Sequence, residues 1–173
     1  MSMKELPVDA GMIGIMPLAA VNHADAWLEG GQVVNVAGGC WLSLCYDNGR
    51  ITIQLDSHGA IPVDEDSKWW IGDPCYLLEN NIPSGEAGDW TKAADPAPGY
   101  WSACVASLRT PRAGRFAAQP YQLDGGLQGL VASTMWGDGC YPLLLQTRYD
   151  NYLKYAVIET GDVEDEDYDE DEE

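Results

Sequence analysis

The feature that most constrains this chain is a short pattern that occurs twice. Residues 72–76 read Gly-Asp-Pro-Cys-Tyr, and residues 137–141 read Gly-Asp-Gly-Cys-Tyr. Each copy follows a bulky run, at residues 69–71 and 134–136, and the Gly-Asp-(Pro/Gly) step is a strong turn signal. The two copies lie 65 residues apart. This repetition predicts two equivalent corners of one β-rich body.

Strand and turn signals dominate the chain after residue 31. Residues 40–46 and 50–55 flank Asn48-Gly49, a pair that favours a tight β-hairpin. In the second of these runs isoleucines alternate with Thr52 and Gln54, which is typical of a sheet with one buried face. The other runs with strand character are residues 32–36, 69–71, 100–108, 127–135, 141–149 and 152–160.

Helix signals are scarce. Asn22 can cap a turn that runs to Glu29 and stops at two glycines, and residues 80–99 are interrupted by prolines and glycines. A chain of 173 residues with this pattern predicts a mainly β fold: an antiparallel β-sandwich or open barrel with at most one or two short helices. We expect a single β-rich domain over residues 1–161 and a disordered acidic tail over residues 162–173.

The charge balance indicates what kind of partner the chain can have. It holds 28 acidic and 9 basic residues, for a formal net charge of −19. Ten of the carboxylates lie in residues 162–173, and the rest of the chain still carries about −9. Such a field repels nucleic acid and anionic lipid and attracts basic surfaces. We therefore expect a basic protein partner, no direct contact with nucleic acid and no membrane binding.

Cysteine usage and the N-terminal region indicate the compartment. The five cysteines are scattered, odd in number and without a Cys-x-x-Cys pair, which is typical of reduced, buried thiols. The apolar run at residues 11–21 is short, contains Pro17 and follows Glu5 and Asp9 rather than a basic segment. We therefore expect no export signal and a cytoplasmic protein.

A family resemblance rests on the two corners and their surroundings. Residues 71–76 and 137–143 resemble segments of a loose group of small bacterial and phage-encoded proteins of unknown function. Members of that group carry Ile-Gly-Asp-Pro-(Cys/Ser)-Tyr in mid-chain and Gly-Asp-Gly-x-Tyr-Pro-Val later, and here Leu143 replaces the usual Val. The resemblance covers about half of the chain. It implies a β-rich fold and a phage or prophage setting, hence the host cytoplasm, and it brings no catalytic residues.

Two interpretations apply to the aspartates of the corners. If the corners face each other, Asp73 and Asp138, with Tyr76 and Tyr141 beside them, can bind a cation or perform acid–base chemistry. Alternatively, each aspartate accepts backbone N–H bonds and locks its own turn, and the turn sequences favour this second interpretation.

Metal and cofactor chemistry has little support in the sequence. His23 and His58 lie in different regions and form no spaced ligand set with the cysteines. The chain has no Gly-x-Ser-x-Gly nucleophile motif and no glycine-rich phosphate loop with its Lys and Ser/Thr. We expect no metal, no cofactor and no identifiable catalytic residue.

Aromatic residues are skewed toward types that suit interfaces. Seven Trp and nine Tyr stand against one Phe, and Trp and Tyr join a large apolar area to a polar group. We expect Trp69 and Trp90, together with Trp27, to form a surface patch. The tryptophans expected in the core are Trp41, Trp70, Trp101 and Trp136.

The acidic tail has two interpretations of its own. It can act as a solubilising segment, or it can work with the acidic body as a decoy for nucleic acid in the basic groove of a target. Arg109, Arg112 and Arg115 are a counter-signal, because they can bind the tail internally or form a small anion site. The carboxylates of the tail are Asp162, Glu164, Asp165, Glu166, Asp167, Asp169, Glu170, Asp171, Glu172 and Glu173.

These observations lead to one functional prediction and two alternatives. The leading prediction is an acidic phage-type or accessory binding protein that engages a basic partner and inhibits a nucleic-acid enzyme or a host defence factor. The first alternative is a small enzyme or ligand-binding protein that uses a cleft near the two Gly-Asp corners. The second is a structural protein that assembles into homo-oligomers through exposed β edges and aromatic patches.

Overall fold

The structure is a computed structural model that describes residues 2–20, 28–78, 98–111, 114–134 and 136–161. Within these ranges the one α-helix is α1 (Tyr100–Arg109), and short 3-10 turns link several strands. The strands are β1 (Ser2–Val8), β2 (Met12–Pro17), β3 (Gln32–Val36), β4 (Cys40–Asp47), β5 (Arg50–Asp56), β6 (Ile61–Val63), β7 (Ser67–Gly72), β8 (Arg115–Ala117), β9 (Pro120–Gln122), β10 (Gln128–Ser133), β11 (Gly139–Thr147) and β12 (Leu153–Glu159).

The strands form two antiparallel sheets that pack face to face. Sheet A has seven strands in the order β1-β11-β12-β5-β4-β6, with β8 also paired to β4. Sheet B has five strands in the order β3-β7-β2-β10-β9. Side chains that alternate along the strands fill the space between the sheets. The predicted mainly β, antiparallel sandwich with little helix is confirmed. Among the side chains that form this core are Leu6, Ile13, Ile15, Val34, Leu42, Leu44, Ile51, Ile53, Ile71, Leu130, Leu143 and Ile158.

The hairpin predicted at Asn48-Gly49 joins β4 to β5. Asn48 has φ of 42° and Gly49 has φ of 87°, so both central residues adopt the left-handed conformation that tight hairpins require. The register from Asp47 with Arg50 to Trp41 with Asp56 is continuous. The strands predicted near the C-terminus are present as β10, β11 and β12, and the turn between the last two has positive φ at Asp150 and Asn151.

The N-terminal region is a correction to the sequence interpretation, which assigned no strand before residue 32. Residues 2–17 form β1, at the edge of sheet A, and β2, in the middle of sheet B. All six residues of β2 are buried, because sheet A covers one face and α1 with neighbouring turns covers the other. A strand that is buried on both faces shows no alternation, so its period could not reveal it.

Residues 100–108, predicted to be a strand, form α1 instead. The segment has almost no charge, and a short apolar run gives the same signal for a buried strand and for a buried helix. Its buried positions include Ser102, Ala103, Val105 and Ser107. These small side chains let α1 lie close against β9 and β10 on the outer face of sheet B. The apolar helix α1 thereby shields this face of the sheet from solvent.

Two large aromatic side chains lie flat on the outer face of sheet B, and glycines make room for them. A Cβ atom on Gly72 would stand 2.4 Å from the Trp70 ring, and one on Gly129 would stand 2.5 Å from the Tyr121 ring. Trp70 and Tyr121 are fully buried in the second apolar cluster, together with Met12, Met16 and residues of α1. The packing of Trp70 and Tyr121 on the outer face of sheet B therefore requires glycine at positions 72 and 129 of the strands.

Several sequence expectations fall on residues outside the described ranges. These are the predicted helix before residue 28, Trp27, Trp90, Arg112 and the tail at residues 162–173. Residues 28–30 of the described chain form a 3-10 turn. In the described part of the chain, no helix combines the length and the apolar character needed to cross a membrane.

Candidate functional site

The first Gly-Asp corner, at the end of β7, is organised around a fully buried carboxylate. Asp73 precedes a short 3-10 turn (Pro74–Tyr76), and its Oδ1 accepts a hydrogen bond from the Cys75 N–H at 2.9 Å. Its Oδ2 accepts bonds from the N–H groups of Asp9 and Ala10 at 2.8 and 2.7 Å. The side chain has no exposed surface. Asp73 therefore fastens its own turn and also the distant β1–β2 turn.

The second corner, between β10 and β11, is organised around a backbone carbonyl. The Gly137 carbonyl accepts hydrogen bonds from Thr134 Oγ1 at 2.7 Å and from the Tyr141 hydroxyl at 2.9 Å. Gly137 has φ of 75°, a conformation that favours glycine. Asp138, in contrast, is exposed. The two aspartates of the repeated pattern thus occupy different environments, although the local sequences are alike.

The two corners meet at the β1–β2 turn. Asp73 holds this turn from one side, and the Thr134 N–H donates to the Gly11 carbonyl at 2.8 Å from the other. A Cβ on Gly11 would stand only 3.4 Å from the Gly137 Cα, so the backbones approach closely. The repeat therefore marks one end of the sandwich, which we call the corner end. At this end Asp73 lies beneath the surface, whereas Asp138 lies on it.

Half-buried thiols and phenols lie around Asp73. Burial, followed by the Asp73 charge, raises the pKa of Cys75 to about 12. Burial likewise raises the pKa of Cys104 and, together with Cys104, that of Tyr100. Burial also raises the pKa of Asp73 itself, against the effect of its three N–H donors. These thiols are therefore protonated at neutral pH and are poor nucleophiles.

Other sequence-predicted residues at the corners have different positions. Tyr76 is half-buried, and burial raises the pKa of its phenol. Tyr141 is buried, with its hydroxyl bonded to Gly137 as described. In the described ranges no group of three or more His, Cys, Asp or Glu side chains is placed to hold a metal ion. The hydrogen bonds of Asp73 and of the Gly137 carbonyl make the corner end a structural junction.

The tryptophans correct the predicted division between core and surface. Trp69, expected on the surface, is 4% exposed, and its Nε1–H donates to Ser67 Oγ at 2.9 Å. Trp70 is buried as expected, whereas Trp136 and Trp41, expected in the core, are 62% and 41% exposed. The tryptophan that precedes the first corner, Trp70, is therefore buried, whereas the one that precedes the second corner, Trp136, is exposed. The reason is that β7 lies inside sheet B, whereas residue 136 lies in the link that leads out of it.

The opposite end of the sandwich carries an open groove of about 880 Å³. It lies where β7 begins and β2 ends, so we call this the groove end. Its buried or half-buried apolar walls and its exposed polar residues come from segments far apart in sequence. The apolar lining comprises Pro17, Leu18, Ile61, Val63, Trp69 and Leu127, and the charged lining comprises Asp64, Glu65 and Lys68.

The acidic loop at this groove, residues 64–66, is held in a fixed position. Asp66 Oδ1 accepts a hydrogen bond from the Gly38 N–H at 2.7 Å, and Asp66 Oδ2 accepts one from the Tyr152 hydroxyl at 2.9 Å. The bond from Gly38, and then that from Tyr152, lowers the pKa of Asp66. Gly38 packs so tightly that a Cβ there would stand 2.8 Å from backbone atoms of Asp64 and Glu65. Asp66 therefore connects the loop that carries the exposed Asp64 and Glu65 to Gly38 and Tyr152.

Sequence reasoning missed this groove and the residues that form it. The acidic run Asp64-Glu65-Asp66, directly after one strand and before the Trp69-Trp70 strand, was the available signal.

A smaller cavity of about 250 Å³ lies between α1 and β9, and Arg109, the last residue of α1, lines it. The comparisons with known proteins add nothing here: the chain matches no protein family, no curated protein and no solved structure.

Proposed function

We propose that this chain is an acidic binding protein that engages a basic protein partner. The observation that carries the proposal is the distribution of its charge. In the described ranges, carboxylates on both ends of the sandwich are exposed, among them Asp64, Glu65, Asp124, Asp138 and Asp150. Few of them are neutralised internally: the ion pair recorded in these ranges joins Arg50 Nε to Glu159 Oε1 at 2.8 Å, and both side chains are largely exposed.

The tail strengthens the same argument through its sequence. Residues 162–173 add ten carboxylates to a body that is already negative. Gly161, the last described residue, lies beside the exposed Trp136 at the corner end, since a Cβ there would stand 2.6 Å from the Trp136 Nε1. A strongly negative protein attracts a positively charged partner at long range and speeds their encounter. A nucleic-acid enzyme or a defence factor with a basic groove has the matching chemistry, and the resemblance to phage-encoded proteins favours such a target.

The corner end gives no support to an enzymatic alternative. Its buried carboxylate accepts three backbone N–H bonds, and burial raises the pKa of the Cys75 thiol to about 12. A catalytic base or nucleophile needs contact with substrate and a suitable protonation state. We therefore propose binding rather than catalysis as the activity of this chain.

A binding titration with a defined polycation tests the proposal. Fluorescence anisotropy measures the affinity of labelled polyarginine for the full chain and for a chain that ends at Gly161, at several salt concentrations. We expect tight binding at low salt, a steep loss as salt rises, and weaker binding with a smaller salt dependence for the shortened chain. Equal binding of polyarginine and polyglutamate, or affinity that does not change with salt, would contradict the proposal.

Two further measurements address the biological target and the remaining alternative. A pull-down from bacterial lysate with both chain forms, followed by an activity assay of any captured nucleic-acid enzyme, tests for inhibition. Light scattering of the purified protein gives its oligomeric state. A defined homo-oligomer that binds no polycation would favour the self-assembly alternative over the binding function.

A further inference from the structure

The groove end offers a surface whose chemistry defines its occupant more narrowly than net charge does. Its apolar lining comes from the half-buried side chains of Leu18 and Leu127 and from the small exposed parts of Ile61, Val63 and Trp69, and two exposed carboxylates stand on the loop beside them. An apolar lining attracts apolar side chains, whereas adjacent carboxylates attract cationic ones. The combination therefore fits a ligand that carries both kinds of group.

The shape of the groove favours a polypeptide over a small molecule. Small-molecule sites usually enclose most of the ligand surface, whereas this groove of about 880 Å³ is open to solvent. An extended polypeptide suits an open groove, because neighbouring side chains point in opposite directions and can engage the lining and the acidic loop at the same time. A segment with alternating apolar and basic residues matches this arrangement.

The strand beside the groove favours recognition through side chains rather than through an added strand. β6 lies at the edge of sheet A, but it is only three residues long and has Pro62 at its centre. Proline lacks an N–H group, and a short edge strand with proline resists pairing with another chain. Affinity must then come from the apolar lining and from the carboxylates.

Hydrogen bonds within the protein already hold the acidic loop and the Trp69 indole of the groove in place without a partner. Asp66 fastens the acidic loop to Gly38 and Tyr152, and the Ser67 hydroxyl fixes the Trp69 indole. A surface that is already ordered loses little conformational entropy when it binds, and aromatic side chains held in place often carry much of the binding energy. Lys68 is the cation among the lining residues, and it opposes a basic ligand.

We propose that this groove binds an extended segment of the partner protein in which basic and apolar residues alternate. Its apolar side chains enter the lining, and its basic side chains contact Asp64 and Glu65. This inference rests on the proposed function, because it identifies where the acidic protein holds its basic partner.

The test is an affinity measurement with a short labelled peptide in which arginine and leucine alternate, using full-length protein. The groove variant carries Asp64→Asn and Glu65→Gln, and the matched control carries Glu5→Gln and Asp47→Asn, which remove the same charge from exposed positions away from the groove. At low salt we expect the groove variant to bind about three- to thirtyfold more weakly, as the loss of two exposed charge contacts implies. The control variant should change affinity less than twofold, and Lys68→Gln should strengthen binding.

The outcomes separate this inference from the proposed function. Equal affinity of the groove variant and the control would overturn the groove site while the binding function stands. Equal binding of a peptide with serine in place of leucine would overturn the role of the apolar lining. If the full-length protein binds neither the arginine–leucine peptide nor polyarginine at low salt, both proposals fail.

Discussion

The buried carboxylate at the first corner provides a strong test of the structural account. Asp73 is the acceptor for three backbone N–H groups, from Asp9, Ala10 and Cys75, at 2.7–2.9 Å. Replacement by alanine leaves those donors without their partner, and each buried donor that loses its acceptor costs about 1–3 kcal/mol. Water can reach part of the β1–β2 turn, and the burial cost of the carboxylate disappears as well. We therefore expect Asp73→Ala to lower the free energy of unfolding by about 3–5 kcal/mol.

The assay is urea unfolding followed by tryptophan fluorescence, with the transition midpoint and the slope compared between variants. Asp138→Ala is the matched control, since Asp138 holds the same place in the repeated pattern but is exposed, and it should change stability by no more than about 0.5 kcal/mol. The slope should stay unchanged in both variants, because the surface exposed on unfolding is the same. Similar effects of the two substitutions would refute the assignment of Asp73 as the junction of the corner end.

The pH dependence of stability gives a second measure of the same group. Burial raises the pKa of Asp73 in the folded protein above its ordinary value, so the folded state keeps the proton to a higher pH than the unfolded chain does. The stability from this proton is complete below the ordinary aspartate pKa and is lost as pH rises through the raised value. Asp73→Asn removes this titration. The free energy of unfolding of the native protein, measured relative to that of the Asp73→Asn variant, should therefore decrease as pH rises through that window.

Three further predictions concern the outer layer and the thiols. Gly129→Ala should destabilise the protein by about 1–3 kcal/mol in urea unfolding, because the new Cβ meets the Tyr121 ring at 2.5 Å; no loss would contradict the close contact. Tyr121→Phe should stabilise the protein by about 1 kcal/mol, because among the described residues the buried Tyr121 hydroxyl has no hydrogen-bond partner; a large loss would reveal a partner. Iodoacetamide at mildly alkaline pH should modify the exposed Cys140 well before the half-buried Cys75, whose pKa is raised to about 12; peptide mapping that finds the reverse order would contradict the raised pKa of Cys75.

Local signals predicted local structure well. Asn48-Gly49 identified its hairpin, because the required backbone conformation belongs to those two residues alone. The alternation in β5 likewise placed Ile51 and Ile53 in the core. Segments without a clear period were not predicted correctly: β2 is buried on both faces, and α1 is a short apolar segment that packs on the outer face of sheet B.

The candidate sites lie beyond local reasoning because distant segments build them. Asp73 binds backbone groups of residues 63 and 64 positions earlier in the chain, and no local pattern shows such partners. The groove brings together Leu18, Ile61 and Leu127, which meet only when the two sheets pack. The repeated pattern did indicate that two corners matter. It could not show that one aspartate turns inward and the other outward.

The central claim, that a basic and apolar segment binds in the groove, has a direct test in the indole N–H signals of the tryptophans. The Trp69 signal is assigned with Trp69→Phe and followed by nitrogen-15 NMR as the arginine–leucine peptide is added. Trp69 lines the groove, whereas Trp136 is exposed near the corner end. The account predicts that the Trp69 signal shifts and saturates with the binding curve while the Trp136 signal stays in place. A shift of Trp136 with Trp69 unchanged would show that the partner binds at the other end of the sandwich.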